Sequence, residues 1–147
     1  MFKIEILFSS AECDIFYNRE LQIIQTLWKG LYVQDEPFRY ILDEIIVGLQ
    51  SKQTPIIIAD ARDMHIITKK DQDWILESWY PRAVAAGFRY QGLILSKDTY
   101  NEVTVKKIST NYDDKIITTQ YFRSVMDAMD WVRVIQKESN FQVKISG

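Results

Sequence analysis

Four polar side chains in the middle of the chain have the types and spacing that acid–base chemistry requires. Asp60, Arg62, Asp63 and His65 follow directly after the apolar run 55–59, and His65 is the only histidine. A carboxylate beside an imidazole can orient it for general acid–base catalysis. Asp and Arg at the end of a strand commonly pair with each other or with loop amides, and a single histidine without a neighbouring nucleophile motif is usually structural, so shaping the loop is the simpler role. The four residues are also our candidate contacts for a partner or ligand, and an enzyme that uses Asp60 and His65 is a remote alternative.

Such an enzyme would also need a nucleophile, and three side chains have a suitable type. They are Cys13, Ser78 and Ser96. No nucleophile motif surrounds any of them, and catalysis needs the nucleophile, the base and the orienting group together. One cysteine cannot form an internal disulfide, and with a single histidine the chain has no Cys/His cluster for zinc. The sequence thus predicts no catalytic residues, no metal site and no cofactor.

Thr68 has the type and position of a helix N-cap residue. Asp71 follows it by three residues, which is the spacing of a capping box, and an apolar pattern begins just beyond. An N-cap threonine stabilises a helix by roughly 0.5–2 kcal/mol. Because a helix N-terminus also favours an anion, the same hydroxyl is a candidate phosphorylation site. We expect capping to be its main role.

Four large aromatic side chains offer a different chemistry, the binding of an apolar molecule. Trp74, Trp79, Tyr80 and Trp131 would line a cleft for a lipid or another small ligand if the fold brought them together. At helical spacing such residues more often form core or a dimer surface. Trp74 and Trp79 are therefore candidate contacts for a ligand or a protein partner, and a homodimer stays open.

Length and composition indicate what kind of domain holds these residues and which classes of partner it can have. The chain has 147 residues, 47% of them hydrophobic and 13% aromatic, which predicts one folded domain over residues 1–147. The net charge of −2, without a Lys/Arg cluster, argues against a nucleic-acid partner. The basic doublets 69–70 and 106–107 form no broad stripe, so stable membrane anchoring is not expected. The first eight residues alternate like a strand and not like a signal peptide, which predicts a cytoplasmic protein.

The N-terminal part is predicted to be an antiparallel meander over residues 2–28. Two β-prone runs, at 15–17 and 21–28, are separated by a polar interval of hairpin length. Before them, apolar residues recur at every second position, which predicts a first strand with one half-buried face made of Phe2, Ile4, Ile6 and Phe8.

Helices alternate with strands after this meander. Asp35 and Pro37 predict the entry to an amphipathic helix, and the apolar run that follows it is typical of a central strand covered on both faces. The next helix is predicted to begin after Thr68, to be kinked or ended by Pro81, and to close at Gly87, a candidate left-handed cap.

The last third of the chain continues the alternation. Strands are predicted at 88–95 and 116–122, and between them a weaker helix capped by Ser96 or Asp98, whose narrow apolar face should lie on the surface. Ser124 is predicted to cap a closing helix. A small edge strand is predicted in the tail, where apolar residues alternate again at Phe141, Val143 and Ile145.

This order of elements predicts an α/β fold with a mixed sheet, antiparallel near the start and parallel where crossover helices intervene. In such a sheet a ligand crevice lies beyond the carboxyl ends of the parallel strands. That edge is predicted to hold residues 60–65 and 96–100.

A series of short motifs in this order resembles the SpoIIAA-like family. That family has the STAS fold and is related to bacterial anti-sigma-factor antagonists and to the CRAL-TRIO lipid-binding domains. The resemblance covers nearly the whole chain and rests on Trp28-Lys29-Gly30, Asp60-Ala61-Arg62, Asp71-Gln72-Asp73-Trp74-Ile75, Trp79-Tyr80-Pro81, Ala86-Gly87-Phe88-Arg89, Tyr121-Phe122 and Ala128-Met129-Asp130-Trp131.

The resemblance implies a small α/β domain that acts as a non-catalytic interaction or regulatory module and binds a protein partner. A small-ligand or lipid-binding domain is the alternative that the CRAL-TRIO relationship implies. Antagonists of this fold are switched by phosphorylation in an Asp-Ser-x-Gly turn. The corresponding residues here, 61–72, lack that motif and have Thr68 as their only hydroxyl.

Overall fold

The fold is organised around one sheet of six strands. The computed structural model describes residues 3–97, 99–113 and 115–146. The strands are β1 (Ile4–Ser9), β2 (Cys13–Asn18), β3 (Ile23–Trp28), β4 (Ile56–Asp60), β5 (Tyr90–Ile94) and β6 (Thr118–Phe122). The helices are α1 (Asp35–Lys52), α2 (Lys69–Trp74), α3 (Tyr80–Ala85), α4 (Thr99–Thr110) and α5 (Val125–Ser146), and a π-helical turn, Ile75–Trp79, joins α2 to α3.

The strands lie side by side in the order in which they occur along the chain. β1, β2 and β3 pair antiparallel, and β3 to β6 pair parallel. This confirms the α/β class, the mixed sheet, the N-terminal meander and the crossover helices. Each parallel strand from β3 to β6 is added beside the previous one, always in the same direction across the sheet. Right-handed crossovers then place all of their helices on one face, so α1, the α2–α3 unit and α4 cover the same face of the sheet.

Apolar cores form on both faces of the sheet. The larger core lies under the crossover helices and includes Trp28, Phe38 and Trp79. The smaller core lies under α5, where Val132 and Met129 pack on β4 and β5. This one helix packs against β4, β5 and β6, and on β1 the side chains of Ile4 and Ile6 are exposed. A third, small cluster shares Met64 with the larger core and consists of Ala61, Leu93, Leu95 and Val105.

The predicted burial of the first strand is wrong at two of its four positions. Ile4 and Ile6 are 43% and 72% exposed, whereas the neighbouring residues Leu7 and Phe8 pack against the larger core. A bulge between Ile6 and Phe8 shifts the pairing register, so Leu7 and Phe8 both contact that core. Phe2 lies outside the described residues.

The helix entries agree with their local signals. α1 begins at Asp35 with Pro37 in its first turn, and Thr68 caps α2 by accepting a hydrogen bond from the Asp71 N–H at 3.2 Å. Pro81 does not end the following helix. Proline has no N–H to donate to the turn before it, and the chain forms the π-helical turn Ile75–Trp79 at that point. The helix then continues as α3 to Ala85. Gly87 follows with the predicted positive φ, +108°.

Two predictions for the last third are wrong. The first is that the apolar face of α4 lies on the surface. Val105 and Ile108 of this helix are buried, because α4 connects β5 to β6 across the sheet and packs Ile108 into the larger core and Val105 into the small cluster beside it. The predicted edge strand over 141–145 is instead part of α5. No glycine or proline interrupts residues 125–146, so the helix continues through the short alternating segment. Ser124 caps it as predicted, since its hydroxyl accepts the Asp127 N–H at 3.2 Å. Asp98 lies outside the described residues.

Candidate functional site

Asp60 and Arg62 form a closed ion pair at the carboxyl end of β4. Arg62 Nε and Nη2 donate to the two carboxylate oxygens of Asp60 at 3.0 and 2.7 Å, and the Arg62 backbone N–H lies 3.3 Å from Oδ1. These hydrogen bonds raise the pKa of the Arg62 guanidinium above its ordinary value. Both carboxylate oxygens are therefore committed to holding the loop, which is the simpler of the two roles predicted for Asp60.

His65 contacts an aromatic ring and not a carboxylate. Its imidazole meets the Tyr32 ring edge-on, with centroids 5.2 Å apart and an interplanar angle of 77°. In the part of the chain that the structure describes, no hydrogen bond or ion pair joins His65 to Asp60 or Asp63. The acid–base pair suggested by the spacing is therefore not assembled.

Besides the contact between Tyr32 and His65, the loop after β3 and the loop after β4 approach each other closely at Gly30. Gly30 has a φ of +84°, and a Cβ at this position would lie 3.2 Å from the Asp63 carbonyl oxygen. Any larger residue would be both strained and crowded here, so glycine lets the loops approach. Around this contact lies what we call the strand-end surface, made of Leu31, Tyr32, Arg62, Asp63, His65 and Ile66.

The strand-end surface is apolar for an exposed surface. Leu31, Tyr32 and Ile66 are 54%, 48% and 44% exposed. The sequence pattern indicated residues 60–65 of this surface, but it did not indicate Leu31, Tyr32 or Ile66. The sequence shows apolar residues in both of these loops, but only the parallel pairing of β3 with β4 brings the two loops side by side.

Trp74 and Trp79, the other candidate binding residues, make contacts within the fold. Trp74 is half-buried between two guanidinium groups, with Arg39 and Arg82 at 5.3 and 5.5 Å from its ring. Trp79 is buried, and its Nε1 donates to the Leu42 carbonyl at 2.7 Å. Neither contacts the strand-end surface through any hydrogen bond or ring contact described.

The four aromatic residues predicted to line one cleft are divided between the two faces of the sheet. Trp131 packs on the α5 side, 5.6 Å from the Phe122 ring, whereas Trp74, Trp79 and Tyr80 belong to the larger core. The lipid cleft expected from these residues is therefore not formed by them.

Asp71 has a role that the capping-box pattern did not show. Only 1% of it is exposed, and its carboxylate accepts hydrogen bonds from Arg39 Nε at 3.1 Å and from the Asp35 N–H at 2.9 Å. It thereby ties the first turn of α1 to α2. A partner 36 residues away leaves no local signal in the sequence.

The candidate nucleophiles are also held in place. Cys13 is fully buried, and burial raises the pKa of its thiol to about 12. Ser78 Oγ accepts a hydrogen bond from Arg82 Nε at 3.2 Å. The carbonyl of Ser96 accepts a hydrogen bond from Arg123 Nη1 at 2.6 Å.

A cavity of about 390 Å³ opens near the amino ends of β5 and β6, away from the strand-end surface. We call it the tyrosine cleft, and its main lining residues are Tyr80, Gln91, Ser109, Tyr112, Thr119 and Tyr121. Tyr80, Gln91 and Ser109 also border an apolar void of about 90 Å³ inside the larger core. No sequence pattern predicted the cleft, because its lining residues come from four separate elements and share no regular spacing.

No helix in the described ranges has the length and apolar character needed to cross a bilayer. Across those same ranges, no group of three or more His, Cys, Asp or Glu side chains is placed to hold a metal ion. Comparison with protein-family models, curated proteins and solved structures found no match for the chain.

Proposed function

We propose that this domain is a non-catalytic interaction module that binds a protein partner through the strand-end surface. The observation that carries the proposal is the exposure of Leu31, Tyr32 and Ile66 on two loops that are fixed to each other. Exposed apolar clusters with a polar rim mark interaction sites, and Tyr and Arg are enriched among residues that dominate binding energy.

The electrostatics of the surface favour its burial against another protein. Arg62 is already paired with Asp60, so covering the pair does not leave an isolated charge in the interface. Asp63, Lys69 and Lys70 remain exposed around it. These charged residues can form a polar rim that sets the orientation of the bound partner, while Tyr32 and Ile66 make the apolar contact with it. The complementary partner surface is an apolar pocket with charged residues of both signs at its edge.

A non-catalytic role is supported by what the candidate catalytic groups contact. The Asp60 carboxylate is occupied by Arg62, the His65 ring lies against Tyr32, and the Cys13 thiol is buried. A general base needs a free acceptor within hydrogen-bond reach of its substrate, and three hydrogen bonds from Arg62 already occupy most of the acceptor positions of the Asp60 carboxylate.

The resemblance to SpoIIAA-like proteins of the STAS fold supports a regulatory role in a bacterial cytoplasm, and we propose both on that ground. Thr68 has less support as a phosphorylation site, because its hydroxyl is half-buried and caps α2. The alternative function, small-ligand binding, is supported by the tyrosine cleft and not by the tryptophans that first suggested it.

The test is quantitative affinity purification from cells that express the chain, with three baits. They are the wild type, the double variant Tyr32→Ala/Ile66→Ala and a matched control, Tyr40→Ala/Val47→Ala, which removes an exposed tyrosine and an exposed aliphatic residue from α1. A protein partner should be recovered by the wild type and the control. Its recovery should fall by roughly tenfold or more with the double variant, as loss of interface hot spots implies.

Equal recovery of every bound protein by all three baits would exclude the strand-end surface as the binding site. Thermal unfolding of each bait shows whether it is folded. A partner that is a second copy of the chain would make the strand-end surface a homodimer interface, and the double variant would then be monomeric.

A further inference from the structure

We infer that the tyrosine cleft binds a small uncharged molecule with several hydroxyl groups, of the monosaccharide or inositol class. The site is distinct from the proposed partner surface. The cleft lies near the amino ends of β5 and β6, whereas the strand-end surface lies at the carboxyl ends of β3 and β4.

The size of the cleft suits one ring with its substituents. Its volume of about 390 Å³ falls at the lower end of the range for small-molecule sites, roughly 300–1,000 Å³. Polar side chains enter it from β5, β6, α4 and the residue that follows the π-helical turn. Convergence of polar groups from several elements on one concave site is typical of ligand recognition.

One group of side chains in the cleft has unused hydrogen-bonding capacity. Tyr80 Oη lies 3.1 Å from Gln91 Oε1 and donates to it, and Gln91 Nε2 donates to Thr119 Oγ1 at 3.3 Å. The second N–H of Gln91 and the hydroxyl hydrogen of Thr119 have no further partner among the described residues. They are donors available to a ligand.

A second group supplies an acceptor. Ser109 Oγ lies 3.1 and 3.2 Å from the Val105 and Lys106 carbonyl oxygens and 2.7 Å from the Tyr121 hydroxyl, and either hydroxyl can be the donor in the last contact. If Ser109 donates to a carbonyl, Tyr121 donates to Ser109 and keeps both of its acceptor sites. If Ser109 donates to Tyr121, the Tyr121 hydroxyl keeps one acceptor site and its own hydrogen. Tyr121 Oη therefore offers an acceptor in the cleft in both arrangements. A site that offers both donors and acceptors matches hydroxyl groups, since each hydroxyl donates once and accepts twice.

The charge of the cleft selects against ions. Among the described lining residues only Asp113 is charged, and its Oδ1 accepts the Lys115 N–H at 2.9 Å. A lone carboxylate repels phosphates and carboxylates but accepts hydrogen bonds from hydroxyl groups. Lys106 Nζ lies 5.1 Å from the centre of the Tyr121 ring, which disfavours an organic cation at the same border.

Stacked tyrosines form an apolar wall for the carbon atoms of a ring. Tyr80 and Tyr112 lie with centroids 4.6 Å apart and an interplanar angle of 22°. The π-helical turn ends at Trp79, just before Tyr80. Both rings are buried in the larger core, and the Tyr80 hydroxyl reaches Gln91 at the cleft. Such turns occur frequently at functional sites.

The test is NMR titration of the isotope-labelled full chain with D-glucose, D-galactose and myo-inositol. At least one of them should shift the ring signals of Tyr80, Tyr112 and Tyr121 in a saturable way. Thr119→Val and Tyr121→Phe each remove one hydroxyl and should weaken that binding by about fivefold or more. The matched controls are Thr118→Val and Tyr90→Phe, which also remove one hydroxyl each but lie on the opposite face of the sheet. They should leave the binding of the polyol unchanged.

Three results would overturn the inference. The first is no saturable shift with any of the three polyols up to about 100 mM, since weaker binding is not a specific site. The second is a stronger response of the same signals to inorganic phosphate, acetate or tetramethylammonium. The third is equal weakening by the cleft variants and by their controls. If Tyr121→Phe loses its dispersed spectrum, the isosteric Thr119→Val is the variant that decides.

Discussion

Cys13 is a single residue whose environment decides its chemistry. Its side chain has no exposed surface, and desolvation raises the pKa of the thiol from 9.0 to about 12. Only the thiolate is a nucleophile, so at neutral pH this cysteine is chemically silent in the folded protein. Burial also raises the pKa of the Tyr80 hydroxyl above its ordinary value.

The buried thiol makes stability fall in alkaline solution. As pH rises from about 9 to about 12, the unfolded chain releases the Cys13 proton while the folded chain keeps it. The free energy of unfolding contributed by this group should therefore decrease by up to about 1.4 kcal/mol per pH unit. Urea unfolding between pH 8 and pH 10.5 measures the slope. Cys13→Ala should have a shallower slope than the wild type, and identical slopes would contradict the assignment.

At the scale of elements, the contact between β5 and α5 depends on a missing side chain. Gly92 lies where a Cβ would be 2.5 Å from Ile58 Cδ1 and 3.3 Å from both Phe122 Cε2 and Trp131 Cζ3. Glycine in a strand interior often marks such a close approach. The Trp131 ring can therefore lie directly on the sheet, which seals the smaller core.

Gly92→Ala should destabilise the protein by about 1–3 kcal/mol, because the added methyl group overpacks this contact. Ile58→Val removes the Cδ1 atom that is nearest to the added group. The double variant Gly92→Ala/Ile58→Val should then be more stable than the sum of the two single effects predicts. Chemical denaturation of all four proteins measures the coupling, and strictly additive effects would show that Ile58 is not the obstacle.

The two helical layers cover the sheet unevenly at the scale of the whole molecule. Three crossovers fill one face, but α5 alone covers the other and packs on β4, β5 and β6. Neighbouring residues of β1 therefore have opposite environments, since Ile6 is exposed and Leu7 packs against the larger core.

Ile6→Thr should change the free energy of unfolding by no more than about 0.5 kcal/mol. Leu7→Ala should cost roughly 1–3 kcal/mol, less than a fully buried leucine because Leu7 is half-buried. Urea denaturation of the two variants beside the wild type provides the comparison. A cost for Ile6→Thr as large as that for Leu7→Ala would mean that another part of the molecule covers this face.

Much of the fold was predictable because its signals are local. The helix entries at Asp35 and Thr68, the cap at Ser124 and the left-handed Gly87 each depend on neighbouring residues. The buried face of β1 was not predictable from period two, because a bulge and the limited reach of α5 decide it. The alternating residues of the tail predict a strand, because so short a segment does not reveal that the preceding helix continues through it.

The sequence by itself determined the order of helices and strands as far as the closing helix, the α/β class, and the place of Asp60, Arg62 and His65 after the central strand. These features depend on local propensity and on which faces must be buried. Only the tertiary structure decided that Arg62 closes on Asp60, that Tyr32 meets His65, and that hydroxyl groups from separate elements converge in one cleft. Contacts between residues far apart in the chain arise when strands pair and helices cross the sheet, and no local spacing encodes them.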